Sequence, residues 1–295
     1  MSEYWSVHGA ATIVAPRAAE TLVLAGFAFG GPADRLRPRS PLGGVRLWRR
    51  LANFAGRVLV ASEQMEAAIR RDRARKAFRP GPVVDETLSA LPPYAELAVT
   101  RPLAQLALLR YATYVNELVP RVQGAQRTLE IGSGAGLLSL GLHRLVGSQS
   151  VLVDLPEMLA VAFSVLAHYE GDAAITLPNE VGSKLPDTPY VLLTPAQVEL
   201  VPDRSVDLAI NTDSFQEMTY QTIGGYFELL RRVLRPGGLV YCVNETVCTK
   251  VPDAPIEFAR YPWPDEWETV VDRRFDYSRL VMGYDHRERL SRVPA

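Results

Sequence analysis

The chain is short of cysteine and of lysine, and it has no apolar run long enough to cross a bilayer. Its two cysteines among 295 residues, Cys242 and Cys248, make neither a disulfide framework nor a metal pair. Cys242 falls in an apolar, strand-like run, where a thiol is usually an inert core group. Lysine occurs only at Lys76, Lys184 and Lys250, so arginine carries almost all the positive charge. A formal net charge of −1 argues against nucleic acid as a default partner, which would normally call for a basic patch. Arginine runs at 46–50 and 70–76 read as solvated helix faces. The apolar run Thr21–Phe29 is too short to span a membrane. Met1-Ser2-Glu3-Tyr4-Trp5 has no basic region leading into an apolar stretch, so no secretion signal and a cytoplasmic setting are expected. There is no internal repeat and no His-Glu-x-x-His or similar spacing, so no metal site is expected.

What is present divides into two parts. Residues 1–100 hold helical stretches cut by Pro32, Pro38, Pro41, Pro80, Pro82, Pro92 and Pro93, with no strand alternation. They read as a helical appendage, expected to act as a lid and dimer contact. Residues 101–295 alternate strand and helix. After a helix from Pro102 to Leu118, strand candidates are Arg127–Ile131, Ser150–Val153, Tyr190–Leu193, Val206–Ile210 and Leu239–Val243. Helices are expected near Gly136–Leu145, Glu157–Tyr169 and Tyr220–Leu234, the last stopped by Arg235-Pro236-Gly237-Gly238. Such alternation implies an α/β fold with a mostly parallel sheet covered on both faces. Glu268–Val271 and Arg279–Tyr284 offer two further strands, making seven.

The first strand runs into Glu130-Ile131-Gly132-Ser133-Gly134-Ala135-Gly136. Glycines at alternate positions permit a tight strand-to-helix turn and close approach of a ligand to backbone. The dinucleotide fingerprint needs its third glycine at the sixth position, which is Leu137 here. Glu130 would also repel a pyrophosphate at the helix N-terminus. A ligand with an ammonium group and no phosphate fits better, and S-adenosylmethionine is such a ligand. The second strand ends at Asp154, 24 residues after Glu130, placed to accept hydrogen bonds from ribose hydroxyls. A glycine turn alone is often only a loop, and an acid after an apolar run is often only a helix cap. Together they form one consistent βαβ unit.

With these residues in view, the chain resembles the class I S-adenosylmethionine-dependent methyltransferases, whose Rossmann-like sheet has seven strands. Leu129–Gly136 matches their first motif, and Pro236-Gly237-Gly238 their ending of the fourth helix. Val153-Asp154-Leu155-Pro156-Glu157 and Ile210-Asn211-Thr212-Asp213-Ser214-Phe215-Gln216-Glu217-Met218 resemble, more narrowly, the sugar O-methyltransferases of bacterial natural-product and surface-glycan pathways. The resemblance implies that Glu130 faces the methionine ammonium and that Gly132, Ser133, Gly134 and Gly136 border the methionine and ribose. It implies ribose binding by Asp154, with Leu155 against the adenine. Gln197 aligns with an acid that commonly holds the adenine amino group; its amide oxygen can accept the same bond. Val198 and Asn211 complete the implied cofactor set.

Methyl transfer to a sugar hydroxyl needs alignment and a proton acceptor. Asp213 and Glu217 follow the fourth strand at i,i+4 spacing and would share a face if the chain turned helical there. Both are candidate bases, Glu217 first, with Gln216 and Tyr220 as acceptor contacts. Asp213 as a turn cap and Glu217 as a surface acid are the plainer roles. His143 and His168 lie inside expected helices and read as structural; His286 is a reserve base. The expected partner is a small glycosidic acceptor and the expected assembly a homodimer. Other acceptors (phenol, carboxyl or carbon) and a SAM-binding cyclase or non-methylating homologue stay open as alternatives.

Overall fold

The computed structural model describes residues 102–249 and 255–295. The expected lid and dimer region 1–100 lies outside the described residues. Helix α1 (Pro102–Leu118) leads into strand β1 (Arg127–Ile131), helix α2 (Leu137–Val146), strand β2 (Gln149–Val153) and helix α3 (Pro156–Glu170). Strands β3 (Ile175–Thr176), β4 (Tyr190–Leu193) and β5 (Val206–Thr212) follow, then helix α4 (Tyr220–Val233) and strand β6 (Leu234–Glu245). A small ribbon of β7 (Val247–Cys248) and β8 (Ile256–Glu257) precedes β9 (Glu268–Arg274) and β10 (His286–Arg292).

Local chemistry accounts for the boundaries. Helix α2 stops at Gly147, which adopts φ +75° and donates its N–H to the His143 carbonyl at 2.7 Å. Helix α3 begins at Pro156, whose missing N–H costs nothing in a first turn. Helix α4 is capped by Thr219, whose hydroxyl accepts the Thr222 N–H at 3.2 Å.

The main sheet has eight strands in the order β3-β4-β2-β1-β5-β6-β10-β9. The first six are parallel, and β10 runs antiparallel to both β6 and β9. The eighth strand, beyond the seven expected, is the two-residue β3 at the edge. The chain moves outward from β1 through β2 and β4, then crosses to β5 on the other side. The carboxyl ends of β1 and β5 therefore flank the switch point where such sheets bind ligands. Leu129, Ile131, Val151, Val153, Ala209 and Cys242 pack on the face covered by Phe227 and Leu230 of α4. Leu208, Ile210, Tyr241 and Leu290 face Tyr114, Val115 and Leu118 of α1 and Leu138 and Leu142 of α2. Alternation in β1 thus sends Glu130 toward the α1 and α2 side.

Two expectations are corrected. Arg279–Tyr284 is not a strand: Ser278–Met282 forms a π-helical turn ended by Gly283 at φ +81°. Leu280-Val281-Met282 is a continuous apolar run without alternation, and Val281 buries itself against the α1 side of the sheet. The real strand, β10, reads as polar because two of its inward residues are His286 and Glu288. Glu288 is tolerated there because Tyr241 donates to it at 2.7 Å and Arg273 at 2.6 Å. Nor do Asp213 and Glu217 share a helical face. Asp213 adopts φ +57°, which breaks the helical path, and only Phe215–Glu217 then makes a 3-10 turn.

Past the switch point, backbone groups lose their sheet partners and side-chain amides replace them. Asn211, 2% exposed, donates to the Ile131 carbonyl at 2.9 Å. Its oxygen accepts the Phe215 N–H at 3.2 Å and the Asn244 amide at 2.8 Å. Asn244 accepts the Gln216 N–H, and the Gln216 side chain accepts the Glu245 N–H. Asn211→Ala would leave the Ile131 carbonyl, the Phe215 N–H and the Asn244 amide short of a partner in the interior. Urea unfolding should show a loss of about 2–4 kcal/mol. A change below about 0.5 kcal/mol would mean that other contacts hold these strand ends.

Candidate functional site

The glycine turn sits at the carboxyl end of β1. Gly132 adopts φ +75°, and a Cβ built there would lie 2.1 Å from the Ser214 hydroxyl. The loops after β1 and β5 touch at this point, and only a glycine permits it. Gly136, at φ +73°, lets α2 approach the sheet: a Cβ would meet Leu152 at 3.1 Å and Leu166 at 3.3 Å. Its role here is packing. A Cβ at Gly134 would meet nothing within 4 Å, so open space lies over the middle of the turn. The Ser133 hydroxyl beside it is buried without a hydrogen-bond partner.

Asp154 stands across from the turn at the tip of β2. One carboxylate oxygen accepts the Gly134 N–H at 2.7 Å and the other the Leu155 N–H at 2.7 Å. Burial pushes the carboxyl up to about 6 against the pull of those two donors, with Glu157 adding to the rise. Each oxygen keeps a further lone pair for a ligand hydroxyl. Leu155, the residue before Pro156, is extended at φ −63°, ψ 149° and caps α3.

Glu130 is 2% exposed and accepts the Ser139 hydroxyl of α2 at 2.6 Å. Burial pushes its carboxyl up to about 8; Ser139 opposes the rise and Asp154 reinforces it. A buried carboxyl held by the neutral donors of Ser139, with no cation beside it among the described residues, is poised to ionise when a cation arrives.

Other residues singled out above have structural partners. Gln197 closes a capping box: its oxygen accepts both the N–H and the hydroxyl of Thr194 at 3.0 Å, and its amide donates to the Pro178 carbonyl at 2.8 Å. Val198 packs, partly buried, against the α4-side core. Asn211 and Gln216 knit the strand ends together as described. The Tyr220 hydroxyl accepts the Glu257 N–H at 2.9 Å, and Arg260 lies 4.8 Å over its ring, so Tyr220 anchors the β8 segment. Glu217 is half-buried in the 3-10 turn.

Asp213 is the meeting point of three elements. One oxygen lies 2.7 Å from His286 Nε2 at the start of β10, the other 2.8 Å from Arg110 Nη1 on α1. His286 pairs with Glu245 in the sheet, which places it at the carboxyl edge beside Asp213. Arg110 and Tyr111 are functional candidates that sequence reasoning missed. The Tyr111 hydroxyl is held above its ordinary range by burial, with Arg110 lowering it and the charges of Asp213 and Glu130 raising it further. It therefore lies within reach of the charges of both acids. The available signal was that Arg110 is the single basic residue of α1. Among the described residues, no group of three His, Cys, Asp or Glu side chains is arranged to hold a metal ion. No helix among them is long and apolar enough to cross a membrane.

Residues 129–242 match the family model described as a methyltransferase domain. With the sheet order and glycine turn, this defines a class I methyltransferase domain in an enzyme whose methyl donor is S-adenosylmethionine. The chain is also similar to solved structures. A geranyl diphosphate methyltransferase in complex with GPP and sinefungin is 10% identical, with 76% of this chain and 99% of that chain covered and a TM-score of 0.47. The phosphoethanolamine N-methyltransferase 2 of Haemonchus contortus, in complex with phosphomonomethylethanolamine and S-adenosylhomocysteine, is 16% identical. There 63% of this chain and 52% of that chain are covered, with a TM-score of 0.42. The cyclase SpnF is 15% identical over 62% of this chain and 81% of that chain, with a TM-score of 0.43. No curated protein sequence matches the chain.

The residues fit the cofactor's chemistry. The orphaned Ser133 hydroxyl and the open space over Gly134 admit its methionyl and ribose parts, Asp154 suits the ribose hydroxyls, and Glu130 suits the ammonium. Asp154→Ala should weaken S-adenosylmethionine binding at least roughly tenfold by calorimetry, the loss of hydrogen bonds to a charged group. Unchanged affinity would remove Asp154 from the site.

The raised carboxyls set the sign of the pH dependence. Binding favours ionised Glu130, which is mostly protonated in the free protein at about pH 7. S-adenosylmethionine binding there should therefore release protons, seen as a dependence of the binding heat on buffer ionisation enthalpy. Glu130→Gln should abolish most of the release. Proton uptake in the wild type would contradict the assignment. In the free protein Glu130 is raised, so the folded state holds its proton more tightly than the unfolded chain. Stability should fall as pH rises from the ordinary carboxylate range through about 8.

Proposed function

We propose that the enzyme methylates a hydroxyl of a sugar, free or carried on a larger natural product. The reading rests on the stretch Ile210–Met218, which resembles sugar O-methyltransferases and forms the loop against the glycine turn. The observation that carries it is the placement of Asp213. It joins a carboxylate, an imidazole and a guanidinium at the carboxyl edge of the sheet, next to the strand bearing the cofactor turn. An alcohol is a weak acid and needs such a proton-accepting group, whereas a neutral amine attacks with its own lone pair.

When bound, S-adenosylmethionine supplies a methyl group on a sulfonium centre. The chain's own work is to hold the acceptor oxygen in line with that methyl, to exclude water and to receive the proton. Arg110 reaches from α1 to Asp213, and the loops after β1 and β5 meet at Gly132 and Ser214. A homodimer and a cytoplasmic setting belong to the same proposal.

The full chain should be incubated with methyl-labelled S-adenosylmethionine and a panel of glycosides, nucleotide sugars, phenols, carboxylic acids and amines. Mass spectrometry should find a methyl ether on a sugar ring. Transfer only to phenols, carboxyls, carbon or amines would refute the sugar reading. Tight cofactor binding with no transfer to any acceptor would favour a non-methylating enzyme.

A further inference from the structure

We propose that the base of S-adenosylmethionine is met at Gln197 by a hydrogen-bond donor, so that the site does not select for the adenine amino group. The inference stands on the cofactor site alone and holds for any methyl acceptor. The sheet order says where the base goes. Glu130 of β1 suits the methionine ammonium, and Asp154 at the tip of β2 suits the ribose hydroxyls. Methionine and base are attached at opposite ends of the ribose. A ligand running from β1 across β2 therefore reaches the next strand outward, β4, about 4.8 Å further on.

The two strand tips are tied together, since the Asp154 N–H donates at 3.2 Å to the carbonyl of Leu193, the last residue of β4. Thr194 and Gln197 follow at once, both half-buried, with Pro195 and Ala196 exposed between them. This loop opens to solvent beside Asp154. The side chain of Gln197 has one hydrogen left to give and nothing left to accept with. Its Oε1 takes the Thr194 N–H and the Thr194 hydroxyl, both at 3.0 Å, which fills both lone pairs. Its Nε2 donates one hydrogen to the Pro178 carbonyl at 2.8 Å. A backbone N–H can only donate and a carbonyl can only accept, so turning the amide over would break both ends.

The amide oxygen expected to serve the adenine amino group is therefore already occupied, and what remains for a ligand is the second Nε2 hydrogen. Two neighbouring acids are also engaged: Glu180 accepts the Leu177 N–H at 2.9 Å, and Glu199 lies 3.2 Å from Arg232. Glu157 stands exposed on the first turn of α3, where water competes for its hydrogen bonds. A lone donor matches a ring nitrogen of adenine, and equally the carbonyl oxygen of hypoxanthine, the deaminated base. An acceptor in its place would do the reverse, pairing with the amino group and meeting the hypoxanthine carbonyl oxygen to oxygen. Three hydrogen bonds hold the Gln197 side chain, so the donor is fixed before the ligand arrives and binding costs little rotamer entropy.

Two binding measurements on the full chain test this without turnover. The first is calorimetry with S-adenosylhomocysteine and its deaminated counterpart, S-inosylhomocysteine. The wild type should bind the two within about threefold of each other. Gln197→Glu puts an acceptor where the donor was, and should favour the adenosyl ligand by roughly tenfold or more. A preference of that size in the wild type would overturn the proposal, as would a Gln197→Glu variant that binds both ligands as the wild type does. The second measurement needs no variant to keep its affinity. Nitrogen-15 labelling of glutamine shows the two Nε2 hydrogens of Gln197, assigned by their loss in Gln197→Glu. Saturation with either ligand should shift one hydrogen strongly and leave the one bound to Pro178 nearly in place. If neither hydrogen moved on saturation, Gln197 would not meet the base and the proposal would fall.

Discussion

The side-chain amide of Asn211 is the contact on which the site's floor depends. Parallel strands satisfy one another's backbone only while they run side by side, and at the switch point the chain leaves β1 and β5 in different directions. Asn211 spans that gap, holding the Ile131 carbonyl, the Phe215 N–H and the Asn244 amide together. The glycine turn and the Asp213 turn both start from this junction. Their contact at Gly132 and Ser214 is possible because the junction brings them so close.

The electrostatics of the site follow from where the sheet puts its acids. The pleat turns Glu130 inward beneath α2, where Ser139 donates to it, and β2 ends with Asp154 facing the glycine turn. Both carboxyls are raised because burial penalises the charged form more than these donors favour it. Asp213 is treated differently. It is given a guanidinium on one side and an imidazole on the other. One sheet edge therefore carries two acids without a cationic partner among the described residues and one acid held by two. Glu130 suits a cationic group and Asp154 a pair of hydroxyls, while Asp213 ties α1 to β10.

The fold was legible in the sequence where a local rule and a global one agree. Strands β1 and β4 have the ends expected from their apolar runs, and α2 ends one residue past the expected Leu145. The rule failed at β10, because His286 and Glu288 are polar residues pointing inward. Their burial becomes tolerable only through Asp213, Tyr241 and Arg273, which come from other strands and loops. Periodicity reports hydropathy and cannot report a partner distant in sequence. The i,i+4 reading of Asp213 and Glu217 failed for a related reason, since a single left-handed residue redirects the chain.

The sequence by itself determined the alternating α/β plan, the glycine turn, the acids at Glu130 and Asp154 and the nature of the ligand they suit. These are written in contiguous residues whose spacing obeys the periods of strand and helix. Only the tertiary structure decided that Gln197, Gln216 and Tyr220 spend their polar atoms on the scaffold, and that Arg110, Asp213 and His286 converge. Those three positions are spread from the first described helix to the last strand. What unites them is that β5 ends, β10 begins and α1 passes at the same carboxyl edge of the sheet, a consequence of packing the whole chain that no local pattern encodes.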